Sequence, residues 1–278
     1  MTYADAVRLS VLVMIAMDMH GNEPDSLAPA PDPRLAPGWQ LVGYLTATDA
    51  IWRRQPGKPV CFGFLVRSIA DPTRFAVAIR GTADFVEWVE DAEFDAVPHP
   101  VAGRVEAGFW GLYRSLEYRG AAALGAPETA ATGLSAAVGP TGRLTVLGHS
   151  LGSALASYLA FDLAPLLPGR LSAALFASPR PGDAAFAQAF DSRVADYTLV
   201  NYSLDVVPHV PFGLDYTALP RATVITPDAG QSRICFSPNC FHHLVCYLSV
   251  LDYKMYLSVT LSPRDAEYAK CIKGPNLP

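Results

Sequence analysis

Gly148-His149-Ser150-Leu151-Gly152 stands where the short apolar run Leu144-Thr145-Val146-Leu147 meets an alanine-rich stretch, Leu151–Leu163. A serine on a tight strand-to-helix turn presents its hydroxyl outward, and flanking glycines leave room for neighbouring backbone. The amide of Leu151 would open the helix, where it can donate to an oxyanion developing on an attacked carbonyl. In a chain with 21 glycines the pentapeptide alone says little. A buried strand before it and a small-residue helix after it make the pattern specific for a nucleophile.

A serine hydroxyl is a weak nucleophile and needs a base within hydrogen-bond reach, itself oriented by a carboxylate. On a strand–elbow–helix scaffold these follow in the order serine, acid, histidine. His20 and His99 precede Ser150, and His149 adjoins it on the turn, so all three fail the order. His209 lies four residues beyond the best acid and reads as a loop residue. The adjacent pair His242 and His243 remains, and elimination alone leaves the choice between them open. The acids available before that pair are Asp162, Asp183, Asp191, Asp196, Asp205, Asp215 and Asp228. Asp162 falls inside the helix after the elbow. Asp205 directly follows the strand-like run Tyr197–Tyr202, at the carboxyl edge where such sites assemble, and is the chosen acid.

The elements that must position these groups alternate. Strands are predicted at residues 40–46, 60–68, 75–80, 144–147, 173–177 and 197–202, and helices at 83–93, 105–119, Leu151–Leu163 and 184–190. Residues 242–259 are mostly apolar and read as a closing helix. Residues 21–38 carry five prolines and read as an irregular excursion. Strands alternating with helices imply an α/β architecture, a mainly parallel central sheet covered by helices on both faces. Nothing marks a boundary, so residues 1–278 are expected to form a single domain.

Composition narrows the classes further. The chain of 278 residues is 51% hydrophobic and 17% charged, which excludes a disordered chain and supplies a large core. A formal net charge of -5 without a local basic cluster argues against a nucleic-acid partner. Five cysteines with no C-x-x-C pair do not read as a metal site. A Cys235–Cys240 bridge is the pairing weighed for an oxidising compartment, against five mostly buried thiols. The apolar run from Leu9 to Met17 has the length of a signal-peptide core. Asp5 ahead of it and Asp18-Met19-His20 behind it fit a buried first helix better, so a cytoplasmic location is favoured slightly over secretion. The run is too short to span a membrane.

Several blocks resemble, in order, those of the class 3 lipase family. Ala78-Ile79-Arg80-Gly81-Thr82 with Trp88-Val89-Glu90-Asp91 is similar to its R-G-T/S strand end and W-x-x-D helix. Gly108-Phe109-Trp110-Gly111-Leu112-Tyr113 is similar to G-F-x-x-x-Y, and the stretch from Gly148 to Leu155 to G-H-S-L-G-G-A-L. The stretch from Ser178 to Asp183 with Phe186 resembles S-P-R-x-G-N/D-x-x-F, and Asn201 to Pro211 resembles N-x-x-D-x-V-P-x-x-P.

The resemblance implies an α/β-hydrolase fold with Ser150 and Asp205 in a catalytic triad. It also implies that Thr82 joins the Leu151 amide in an oxyanion hole. His242 with Tyr247 fits the family's His-x-x-x-x-Tyr spacing, whereas His243-Leu244 fits the His-Leu of some fungal members; His242 is preferred. Residues 84–94 stand where relatives carry a short lid helix that opens at an oil–water interface. The implied reaction is acyl transfer from a carboxylic ester, with an acylglycerol or similar lipid ester as substrate and no metal or organic cofactor. Phospholipase A1, feruloyl esterase and acyltransferase activities are the alternatives within the enzymes. A catalytically inactive binding module is the alternative outside them. Ser153 and Glu106 depart from the pattern, standing where the family has Gly and often His.

Overall fold

The computed structural model describes residues 1–48, 57–82, 94–122, 124–213 and 215–276. In chain order they form α1 (Tyr3–Asn22), β1 (Trp39–Thr48), β2 (Pro59–Ser68), β3 (Arg74–Ile79), β4 (Ala96–Pro98) and β5 (Arg104–Glu106). Next come α2 (Ala107–Arg114), β6 (Glu117–Gly120), β7 (Glu128–Thr129), α3 (Ala130–Val138), β8 (Arg143–His149), α4 (Leu151–Leu163), β9 (Leu171–Phe176) and α5 (Ala184–Arg193). Then follow β10 (Tyr197–Tyr202), β11 (Ala222–Ile225), β12 (Ser232–Ile234), α6 (Pro238–His242), α7 (Leu244–Leu251), α8 (Tyr253–Ser258), α9 (Pro263–Ala269) and β13 (Ile272–Pro275).

Among the described residues nine strands make one mixed sheet in the order β11-β10-β9-β8-β3-β2-β1-β6-β7. The half from β3 to β11 is parallel, because α4 and α5 each carry the chain back between successive strands. The β1–β2–β3 portion and the β6 and β7 edge pair antiparallel.

Side-chain alternation sorts the core onto two faces. Phe75, Val77 and Ile79 of β3 pack with Phe109, Leu134, Leu155 and Phe186 from α2 to α5. Ala76 and Ala78, one position out of phase, meet Val13, Met14, Val245 and Leu248 of α1 and α7. Burying each large side chain stabilises the fold by roughly 1.5–3 kcal/mol relative to exposure. The apolar run from Leu9 to Met17 therefore lies in a core helix laid across the sheet. No helix among the described residues is long and apolar enough to cross a membrane.

Four readings are revised. The helix expected over 105–119 stops at Arg114, where Ser115 Oγ donates to the Leu112 carbonyl at 2.8 Å. Residues 117–120 pair with β1 instead, tertiary pairing overriding helical spacing. β11 went unread because Val224 is 55% exposed on an edge strand, so burial leaves little pattern there. The run 242–259 forms no continuous helix. Extended backbone at His243 and Asp252 divides it, and each side chain caps the helix that follows. Finally, Cys240 bonds to Cys271, not to Cys235, which remains a free thiol. The β12–β13 pairing brings Cys271 back beside this segment, a partner no local spacing reveals.

A side chain on Gly63 would meet the Ala78 carbonyl oxygen at 2.0 Å, so β2 and β3 require glycine there. Gly63→Ala is expected to lower stability by about 1–3 kcal/mol or more through overpacking. An unchanged urea midpoint would contradict this packing.

Candidate active site

Ser150 sits between β8 and α4 with φ 61 and ψ -132, a left-handed conformation that a non-glycine residue holds only when its surroundings impose it. The imposition comes from close backbone approach. A side chain on Gly148 would lie 2.2 Å from the Gly152 carbonyl oxygen, and one on Gly152 would lie 2.5 Å from that of Ile79. Both positions therefore exclude any Cβ. The Ser150 amide donates to the Phe176 carbonyl at 3.0 Å, fastening the turn to the end of β9. Ser153 reinforces the same joint. Its Oγ accepts the Phe176 amide at 3.0 Å and lies 2.8 Å from the Gly148 carbonyl oxygen. The departure at this position thus leaves the turn intact and adds a tie.

A carboxylate and an imidazole arrive from two other segments. His242 Nε2 lies 2.8 Å from Ser150 Oγ, and its Nδ1 lies 2.9 Å from Asp205 Oδ2 and 3.1 Å from Oδ1. A carboxylate accepts, so Nδ1 carries the hydrogen and Nε2 is left to accept from the serine. Asp205 is 1% exposed, and its charge is compensated in place. Tyr247 Oη donates to Oδ2 at 2.7 Å and the Val207 amide donates to Oδ1 at 3.0 Å. Tyr247 Oη also accepts the Tyr202 amide at 2.8 Å. Burial, and then the nearby Asp205, push the Tyr247 phenol well above its ordinary value, so it stays a donor.

Of the two adjacent histidines, only His242 reaches the serine. The His243 ring stacks on Tyr268, with centroids 3.5 Å apart, and its Nδ1 accepts the Val245 amide at 3.2 Å as the cap of α7. His149, which chain order excluded as base, has another part. Its Nε2 donates to the His242 carbonyl at 2.8 Å, holding that turn against the elbow. Burial and the neighbouring His242 depress the His149 pKa to about 3, so the ring is neutral. His209 is exposed, and Asp162 accepts from Tyr113 at 2.6 Å. Asp183 caps α5 through the Phe186 amide at 2.8 Å. Sequence reasoning used Tyr247 only as a spacing mark and missed both its bond to Asp205 and the brace from His149. Neither contact has a local pattern.

Gly81 passes beside the elbow, where a side chain would come within 3.3 Å of Ser150 Cβ, so Thr82, three residues past the end of β3, follows directly on that approach. Thr82 Oγ1 is buried with no hydrogen-bond partner among the described residues, a polar atom with spare capacity at this edge. Leu151, first in α4, has no intrahelical acceptor for its amide. A cavity of about 60 Å³ is lined by Thr82, His149, His242 and Leu244 together with Met14 and Met17. Residues 84–93 of the expected lid helix lie outside the described residues. Glu106, the other departure, caps α2 by accepting the Gly108 and Phe109 amides at 3.0 and 2.6 Å. Among the described residues no group of three His, Cys, Asp or Glu side chains is arranged to hold a metal ion.

Parallel strands with Ser150 on a strand-to-helix elbow and Asp205 after β10 define an α/β-hydrolase fold. Solved structures share it. The Rhizomucor miehei lipase in its propeptide complex aligns with a TM-score of 0.58 and 19% identity over 81% of this chain and 70% of that one. M37 lipase aligns with a TM-score of 0.59 and 17% identity over 98% and 95%. The class 3 lipase family profile matches residues 76–214, and the chain belongs to that family. A lipase of Rhizomucor miehei is 30% identical over 198 residues, 66% of this chain and 52% of the relative. Phospholipase A1-II 6 of Oryza sativa subsp. japonica is 31% identical over 202 residues, 62% and 49% respectively. The chain thus spans about half the length of these relatives.

Two outcomes follow from the site's polar contacts. Tyr247→Phe leaves the Tyr202 amide buried without an acceptor and should cost about 1–3 kcal/mol in denaturant unfolding; a loss below a few tenths would contradict that bond. His149 and His243 are both neutral in the fold, and their pKa values lie below the ordinary 6.5, chiefly through burial. Between 6.5 and the folded value, the unfolded chain binds protons that the folded chain refuses. Stability therefore falls with acidification below pH 6.5, by up to about 1.4 kcal/mol per unit for each ring. His149→Gln should flatten that decline between pH 6.5 and 4.5, as read from urea midpoints.

Proposed function

We propose that the chain is a serine hydrolase of carboxylic esters, with Ser150 as nucleophile, His242 as general base and acid, and Asp205 as its orienting carboxylate. The observation that carries this reading is the unbroken line from Asp205 through His242 Nδ1 and Nε2 to Ser150 Oγ, with links of 2.9 and 2.8 Å. His242 takes the Ser150 proton as Oγ attacks the ester carbonyl. The oxyanion is received by the amides of Thr82 and Leu151, each such donor being worth roughly 3–4 kcal/mol. His242 returns the proton to the departing alcohol, and water then releases the acyl group by the same route in reverse.

Lipid esters are the favoured substrates. Relatives are named lipase, phospholipase A1 and galactolipase, all acting on acyl lipids by name. Apolar side chains also crowd the rim: Leu204 and Val206 flank Asp205 with 40% and 36% exposure, and Phe212 follows at 62%. Exposed apolar groups beside a buried site suit contact with an aggregated lipid surface. The Cys240–Cys271 bond favours an oxidising compartment over the cytoplasmic location inferred from the N-terminal residues.

Ser150→Ala should abolish hydrolysis of p-nitrophenyl esters while leaving the thermal midpoint within a few degrees. His242→Ala should lower kcat by at least 10³-fold, and His243→Ala by far less. A fluorophosphonate probe should add to Ser150 and to no other serine, as read by mass spectrometry. Absence of the adduct together with absence of turnover would favour an inactive binding module instead. Activity on phospholipid exceeding that on acylglycerol would move the substrate to the phospholipase A1 class.

A further inference from the structure

His242 ends α6, a helix of only five residues, and His243 directly after it is extended. A helix this short has too few internal bonds to hold its own direction. Ser150 and Asp205 bond the ring but do not fix the chain behind it. That chain is held at the His242 carbonyl by His149, 2.8 Å away, and on its other side by the C-terminal segment. Cys240, two residues before His242, is disulfide-bonded to Cys271. The Cys271 carbonyl accepts the Cys235 amide at 2.7 Å, and β13 beyond it pairs with β12. Tyr268 of the same segment stacks on the His243 ring, with centroids 3.5 Å apart, adding a second contact to the residue after His242. This C-terminal clamp is anchored in turn, because Ser262 Oγ donates to Asp18 of α1 at 2.9 Å.

We propose that the Cys240–Cys271 disulfide is a positioning device for His242, transmitting the placement of the C-terminal segment to the imidazole. This rests on the reading of His242 as the base. The sulfur atoms belong to a cluster with Cys246, so the bond would act on His242 through the backbone that joins it to Cys240. Any disulfide spanning 31 residues also limits the unfolded chain. A positioning role differs from a stabilising one in what it does below the unfolding temperature. A base displaced by even 1 Å costs rate on the order of 10²-fold without weakening substrate binding.

The test compares the protein as isolated, the same protein reduced with a water-soluble phosphine, and the Cys240→Ala/Cys271→Ala double variant. Thiol titration in denaturant should count three thiols as isolated and five after reduction, matching the three free cysteines among five. On p-nitrophenyl butyrate well below the thermal midpoint, reduction should lower kcat at least tenfold with KM within twofold, and reoxidation should restore it. The low-field NMR resonance of the His242 Nδ1–H, identified by its loss in His242→Ala, should broaden or vanish on reduction while far-UV circular dichroism is unchanged. Unaltered kcat and an unaltered resonance, with only a lower thermal midpoint, would overturn the proposal, as would five thiols before reduction. If the double variant fails to fold, Cys240→Val/Cys271→Ala, which refills the volume, carries the same comparison. A protein inert toward every ester would sink the hydrolase reading, and the resonance would still decide the positioning role.

Discussion

An imidazole can bridge a hydroxyl and a carboxylate only if three chain segments bring their side chains within about 3 Å of one another at fixed angles. Here those segments are far apart in sequence: Ser150 and His242 are separated by 92 positions and His242 and Asp205 by 37. The parallel half of the sheet meets this demand. β8 and β10 flank β9, so their carboxyl ends open onto one edge, and the residues just past them, Ser150 and Asp205, face the same space. Much of the remaining architecture serves that convergence. α4 starts at Ser150, the segment after β3 brings Gly81 beside it, and α1 and α7 cover the opposite face of the strands beneath.

Burying a carboxylate is costly unless its lone pairs are satisfied. Asp205 is satisfied three times over, by an imidazole, a phenol and an amide. Tyr247 reaches it from α7, the helix that directly follows the His242 turn, so acid and base are braced from one element. The same economy appears on the serine side. His149 stands next to the nucleophile in the chain, yet its ring binds the backbone of His242. His242 is thus gripped from in front by Asp205 and Ser150, and from behind by His149 and the proposed C-terminal clamp. A neutral His149 matters here, since a positive ring with its centroid 4.7 Å from that of His242 would oppose the imidazolium that the proposed proton transfer requires.

Breaking the apolar run after residue 242 has a clear physical purpose. Extended backbone at His243 separates the two neighbours. His242 turns toward the sheet edge while His243 turns back onto Tyr268 and caps α7. Adjacent residues of the same type thereby acquire unlike surroundings, and only one of them touches the serine.

The strand-end positions of Ser150 and Asp205, and the alternation of strands and helices, were legible in the chain itself. Each depends on interactions between near neighbours. The glycines at 148 and 152 exist because the turn is tight, and Asp205 follows its strand directly. Apolar runs of strand length report burial wherever they occur. The choice of His242 over His243, the Tyr247 bond to Asp205, the brace from His149 and the Cys240–Cys271 pairing were not derivable that way. Each is a contact between distant segments, fixed by where backbones come to lie after the sheet has assembled. Local propensity also misled at residues 117–120, whose helical spacing yielded to ladder bonds with β1. Residue type and order determined which chemistry is proposed for this chain. Which of two adjacent imidazoles meets Ser150 was decided only by tertiary structure, because hydrogen bonds depend on direction over a few ångströms and sequence records only adjacency.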